Sequence, residues 1–147
     1  NKPEALIWGG RPLRKVERAP SPGMRHRHYA PGGQLTLVRG ADENVETLLK
    51  ALYAQDELLG RRVRLLVFEE HLRLYAGMDA VPIGSRERPE TVAQRLFTVL
   101  RQADDDGMES LYSEVLPAEG IGLAVMNRLC RAAAFSELDA DKALSEA

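Results

Sequence analysis

The sequence predicts an α/β protein: a three-layer, mostly parallel, Rossmann-like sheet flanked by helices and preceded by an extended arm. Three observations carry this. Short apolar runs alternate with longer amphipathic segments between residues 35 and 134, the order that builds parallel sheets. Arg64–Phe68 (Arg-Leu-Leu-Val-Phe) is almost continuously apolar, as a strand covered on both faces is. Residues 1–34 show no sustained period and are broken by Gly9-Gly10, Pro12, Pro20, Pro22, Pro31 and Gly32-Gly33, which suits extended, turning chain.

The elements follow in order. Leu35–Val38 reads as a first strand, and Asp42 as the cap of the next helix. In that helix Val45, Leu48, Leu49, Leu52 and Tyr53 fall at helical spacing and give one apolar face, with Gly60 closing it. Arg64–Phe68 is the second strand. Leu72–Tyr75 and Ala80–Ile83 read as short strands, with Gly77 and Gly84 as breaks. Pro89 suits the first turn of a helix and Glu90 the positive end of its dipole. Val92, Ala93, Leu96, Phe97, Leu100 and Ala103 make its stripe, and Asp104-Asp105-Asp106-Gly107 ends it in an exposed turn. Ser110–Leu116 is another strand. Gly120-Ile121-Gly122 opens a last helix with Val125, Met126, Leu129 and Ala133 inward. Residues 137–147 are polar and alanine-rich and read as a frayed helix or tail. The organisation is thus an arm at 1–33, an α/β body at 34–136 and a tail at 137–147.

At 147 residues the chain has room for one domain and an arm. It has no run of about 18 apolar residues, so no membrane partner is expected. Cys130 is the only cysteine, which leaves no intrachain disulfide or cysteine cluster and points to a reducing, cytoplasmic setting. The chain starts at Asn1, not at a methionine, as a piece of a longer protein would.

The formal net charge of −2 hides an asymmetry. Residues 1–30 hold Lys2, Arg11, Arg14, Lys15, Arg18, Arg25 and Arg27 against Glu4 and Glu17, a net +5. That leaves 13 of the 20 basic and 20 of the 22 acidic side chains, a net −7, on the rest. A basic arm on an acidic body suits contact with an anion, either nucleotide phosphate or nucleic acid.

One part of the arm is more specific. Just after Pro20 runs Ser21-Pro22-Gly23-Met24-Arg25-His26-Arg27-His28-Tyr29-Ala30-Pro31. Proline fixes its own backbone and extends the residue before it, and Gly23 relaxes that constraint at one point. The run is a shaped strap carrying polar donors, without core residues.

This strap resembles the interdomain linker of the long-form threonylcarbamoyl-AMP synthases, S-P-G-M-x-x-x-H-Y-A-P, with Ser21, Pro22, Gly23, Met24, His28, Tyr29, Ala30 and Pro31 in register. A second block agrees. Leu96, Leu100-Arg101, Asp104 and Gly107 match the family's helix. Gly120-Ile121-Gly122 matches its G-I/L-G turn, and Ala124-Val125-Met126-Asn127-Arg128-Leu129 with Ala132-Ala133 its last helix. The resemblance covers residues 20–134. It implies a C-terminal accessory domain and linker of an enzyme that converts threonine, bicarbonate and ATP to threonylcarbamoyl-AMP and pyrophosphate, for a modified tRNA adenosine. Chemistry would belong to a YrdC-like catalytic domain upstream, so this chain alone would be inactive and bind no cofactor. ATP and magnesium would belong to the full enzyme, and tRNA would be met only indirectly.

In that setting Ser21, Gly23, Arg25, Arg27, His28 and Tyr29 are the expected nucleotide-contacting residues. Arg25, Arg27 and His28 offer donors suited to phosphate oxygens, and Tyr29 a ring and a hydroxyl. The bland alternative is that the strap only staples two domains together. His26 and His28 point to opposite sides of an extended chain, a poor metal pair. His71, after Glu69-Glu70, reads as a surface residue. Gly120 and Gly122 could expose amides to an anion, but a packing turn explains them better, since the longer dinucleotide fingerprint is absent. Asp104-Asp105-Asp106 could attract magnesium, but reads as a solvated loop. Two competing functions stay open: an RNA-binding module acting through the basic arm, and a stand-alone nucleotide-binding protein.

Overall fold

The computed structural model of the protein describes residues 7–8, 11–12, 33–117, 120–133 and 136–145. A two-residue antiparallel pair joins β1 (Ile7–Trp8) to β2 (Arg11–Pro12). The body runs β3 (Gln34–Arg39), α1 (Asp42–Leu58), β4 (Val63–Val67), a 3-10 helix (Glu69–Tyr75), β5 (Ala80–Pro82), α2 (Pro89–Asp105), β6 (Ser110–Glu114), α3 (Gly120–Ala133), β7 (Ser136–Asp139) and α4 (Ala140–Ser145). Its five strands form one parallel sheet in the order β5-β4-β6-β3-β7. The layered α/β class is the one expected. In this order β6 sits between β3 and β4, unlike the dinucleotide-binding fold, where the first two strands are neighbours.

Side-chain alternation divides the core into two layers. Leu35 and Leu37 of β3, Leu66 of β4 and Leu111 of β6 face one side, where they meet Val92, Leu96, Leu100 and Ala103 of α2. Val38, Leu65, Val67 and Tyr112 face the other side, against Val45, Leu48, Leu49 and Leu52 of α1. The apolar faces predicted for α1 and α2 are therefore buried, apart from Ala93, which is exposed, and Phe97, which is half-buried. In α3, Val125 and Met126 pack against the α2 layer, while the side chains of Leu129 and Ala133 lie outside the described residues.

Three local expectations need correction. Asp42 does not cap α1: Ala41 holds the cap position and no side chain of the helix bonds there. From α4, Asp141 Oδ1 accepts the N–H of Ala41 itself (2.9 Å) and Asn44 Nδ2 (2.8 Å), which ties α4 to the start of α1. Leu72–Tyr75 is not a strand but the end of a 3-10 helix. The alternation Leu-Arg-Leu-Tyr mimics a strand, yet a three-residue turn brings Leu72 and Tyr75 to one face, and both join the α1 layer. The segment read as a tail carries β7, which pairs in parallel with β3 (Leu37↔Glu137, Val38↔Leu138), and then α4. The strand is a short, polar sheet edge, and edges show weak sequence patterns. Among the described residues no helix is long and apolar enough to cross a membrane.

Candidate functional site

Parallel α/β sheets gather polar side chains at the carboxyl ends of their strands, where connecting loops converge. Here four connections meet there. Glu114 ends β6 and is 5% exposed. Its Oε1 accepts the Phe68 N–H at 2.7 Å, and its Oε2 is hydrogen-bonded to His71 Nδ1 at 2.8 Å, so one proton sits between carboxyl and imidazole. On the far side of the ring, His71 Nε2 lies 4.0 Å from Asp42 Oδ2. Asp42 in turn receives Arg86 NH1 at 2.7 Å.

Beside this chain, Glu70 organises the loop after β5. It accepts a short hydrogen bond from the Ser85 hydroxyl and another from the Arg86 N–H at 3.0 Å. The sequence permits the arrangement because Gly84, at φ +112°, turns the chain back and would drive a Cβ into Thr91.

The electrostatics follow from burial and partners. Burial pushes the Glu114 carboxyl above the ordinary carboxylate range, against the pull of the Phe68 N–H and His71. The Arg86 hydrogen bond holds Asp42 below it. Burial raises Glu70 too, but the Ser85 hydroxyl and backbone amides outweigh it and leave Glu70 lowered. Burial, then the nearby Glu114, pushes the Tyr75 phenol up. Glu114, His71, Asp42, Arg86 and Glu70 are each engaged by a partner, so the arrangement acts as a polar clasp over four connections.

His71 is thus no simple surface residue; its side chain is 16% exposed and joins two carboxylates. Asp42, Glu70, Ser85, Arg86 and Glu114 were missed by the sequence reading. The available signal is modest: each stands at a strand end or in the first turn after one.

The predicted strap residues Ser21, Gly23, Arg25, Arg27, His28 and Tyr29 lie outside the described residues. Gly120 and Gly122 open α3. Gly120 has φ +58° with open space around its α-carbon. A Cβ on Gly122 would stand 2.7 Å from the Pro117 carbonyl oxygen and 3.2 Å from Leu116 Cβ, so glycine there lets the helix start close to the preceding loop.

The acid run that closes α2 is not merely a solvated loop: Asp104 and Asp105 are its last helical residues and Asp106 its cap. Arg64, on β4, sends Nε to Asp79 Oδ1 and NH1 to Asp106 Oδ2, both at 2.9 Å, while Arg62 NH2 donates to the Asp106 carbonyl at 2.8 Å. Burial lowers Arg64, but its two carboxylate partners outweigh that and leave it raised. Asp106 therefore ties α2 to the amino ends of the strands.

Comparison with known proteins places this chain. The family described as "Threonylcarbamoyl-AMP synthase, C-terminal domain" matches residues 4–134. The threonylcarbamoyl-AMP synthase of Bacillus subtilis is 38% identical over 117 residues, covering 80% of this chain and 33% of that protein. That of Pyrococcus abyssi is 32% identical over 122 residues, covering 83% and 34%. The chain thus spans about a third of these relatives. Among solved structures, P. abyssi Sua5 complexed with L-threonine matches with TM-score 0.67 and 30% identity, over 86% of this chain and 35% of that one. A C-terminal Sua5 domain from Pyrococcus horikoshii matches with TM-score 0.58 and 29% identity, over 75% of this chain and 99% of that one.

Proposed function

Because this chain belongs to the family of threonylcarbamoyl-AMP synthase C-terminal domains, we propose that it is the accessory domain and active-site-covering linker of an L-threonylcarbamoyladenylate synthase. The full enzyme would convert threonine, bicarbonate and ATP to threonylcarbamoyl-AMP and pyrophosphate, and its product would serve tRNA modification. A YrdC-like domain preceding this chain would carry the chemistry. The observation that carries the reading is that the family match includes the strap as well as the body. The threonine bound in the P. abyssi protein supports threonine as the substrate.

On this reading the strap closes over the nucleotide. Arg25, Arg27 and His28 donate to phosphate oxygens, Tyr29 stacks or hydrogen-bonds, and closure excludes water so that each contact counts for more. The body holds the far end of the strap. The polar clasp at the strand ends supports this division of labour, since its charges are taken up by one another. Among the described residues no three carboxylate, imidazole or thiol groups converge as a metal set. On this reading ATP and magnesium are met by the full enzyme and not by this chain alone.

The test is pyrophosphate release from ATP, threonine and bicarbonate by the full-length protein. Tyr29→Ala should lower turnover by about one to two orders of magnitude, since a lost polar or stacking contact is worth roughly 1–3 kcal/mol. The melting temperature of the α/β body should stay where it is. A destabilised body with normal ATP kinetics would make the strap a staple and remove the lid. The RNA-binding alternative predicts instead a steep fall of RNA affinity with salt, carried by the arm.

A further inference from the structure

We infer that Leu58 and Leu59 form the apolar centre of the face on which this domain meets the domain preceding it in the longer protein. The inference rests on the reading just given, that this chain follows a catalytic domain. Leu58 is 87% and Leu59 54% exposed, and among the described residues they are the two large apolar side chains open to solvent. Single exposed leucines are ordinary; two side by side, with no others among the described residues, are not a scatter.

The local structure does not need them. α1 ends because Gly60 takes φ +77°, and the reversal is closed by Leu59 N–H to the Gln55 carbonyl, Gly60 N–H to Glu57 and Arg61 N–H to Asp56. A hydrophobic contact often seals such an end. Here an ion pair does so, with Arg61 NH1 3.7 Å from the Asp56 carboxylate. The backbone of this turn is thus closed by hydrogen bonds and an ion pair, while the two leucine side chains stand largely in solvent.

Their place in the fold names the occupant. They stand just before β4, at the amino end of the sheet, where the chain also arrives from its N-terminal side. Gly33 lies against the Met108 carbonyl, the Gln34 N–H bonds Glu109, and the Glu109 N–H bonds Arg62. Gln34 and Val63 are both aligned with Ser110, so two strand spacings, roughly 10 Å, separate them. The matched family is a C-terminal domain, and this chain covers about a third of its curated relatives. On the proposed reading the preceding domain joins the body through the start of β3, which lies at this same end of the sheet.

A photo-crosslinking benzoylphenylalanine at position 58 of the full-length protein tests this. Mass spectrometry should find intrachain links to peptides upstream of Asn1. Links to a second copy, links confined to residues 1–147, or no links would overturn it. Independently, Leu58→Glu with Leu59→Glu should speed tryptic cleavage within residues 13–32 by on the order of tenfold, because the open population grows. Leu58→Ser with Leu59→Ser should give a smaller rise at an unchanged melting temperature. Wild-type cleavage rates in both variants would overturn the inference. Pyrophosphate release is read on the same wild-type sample. Its failure would undo the synthase reading, while the crosslinks would still report on the face.

Discussion

The two ends of the sheet solve the same problem differently. Each buries a carboxylate. At the carboxyl end Glu114 accepts from a backbone N–H and is hydrogen-bonded to an imidazole. At the amino end Asp56, 0% exposed, accepts the Tyr112 hydroxyl at 2.7 Å on one oxygen, while Oδ1 has no hydrogen bond and faces Arg61 across 3.7 Å. Burial and then Asp56 push the Tyr112 phenol far up, so it stays a donor. What each end leaves to solvent also differs. The carboxyl end presents the Asp42–Arg86 pair, whereas the amino end presents Leu58 and Leu59. The end where α/β proteins usually hold ligands is taken up by its own ion pairs, and the opposite end keeps an apolar surface for a partner.

The largest expected effect lies in the core layer that carries both ends. Leu100 of α2 is fully buried there, and Leu100→Ala should cost about 2–5 kcal/mol, read as a lowered urea midpoint with unchanged m-value. A midpoint near wild type would mean that α2 carries little of the layer. Next comes the direct comparison. Glu114→Ala strands a backbone donor that cannot turn away, at about 1–3 kcal/mol for each unpaired buried donor. Asp56→Ala strands a hydroxyl that can rotate and removes a carboxylate already short of one partner, so it should cost less. Equal losses would erase the distinction between the two ends.

The third test uses pH. Glu114 titrates above its ordinary value of 4.5 in the folded chain, so within the window between its unfolded and folded values the native state binds more protons. Stability from this group therefore falls as pH rises through that window. In a His71→Gln background the imbalance grows, because His71 pulls Glu114 down while burial pushes it up. Adding Glu114→Gln should abolish the fall, so the stability of the His71→Gln protein minus that of the double variant should decrease as pH rises above 4.5. An increase would reverse the assigned cause. Arg86→Ala gives the smallest effect. Its pair with Asp42 is 39% and 54% exposed, and such pairs contribute about 0–1 kcal/mol, less in salt. A loss well beyond that would mean that the clasp acts as one network.

Much was legible in the residues, and much was not. Val45, Leu48, Leu49 and Leu52 fix one face of α1 because helical spacing is a local property, and the same holds for Val92, Leu96 and Leu100 in α2. The clasp was not legible: Asp42, Glu70, Arg86 and Glu114 are far apart in sequence and ordinary as single residues, and only the parallel register brings their strand ends together. Asp42 shows the limit well. Its position before an apolar stripe suits a cap, but Ala41 holds the cap position, and the carboxylate that bonds Ala41 is Asp141, from α4.

The sequence by itself determined the α/β class, the two helix faces, the glycine stops and the family, because periodicity, backbone freedom and motif order are written in neighbouring residues. Tertiary structure alone decided that β6 enters between β3 and β4, that Ser136–Asp139 becomes an edge strand, and that Glu114 closes on Phe68 and His71. Those outcomes are pairings across long chain separations. Their free energy comes from burying surfaces that exist only once the layers are assembled, so no local pattern encodes them.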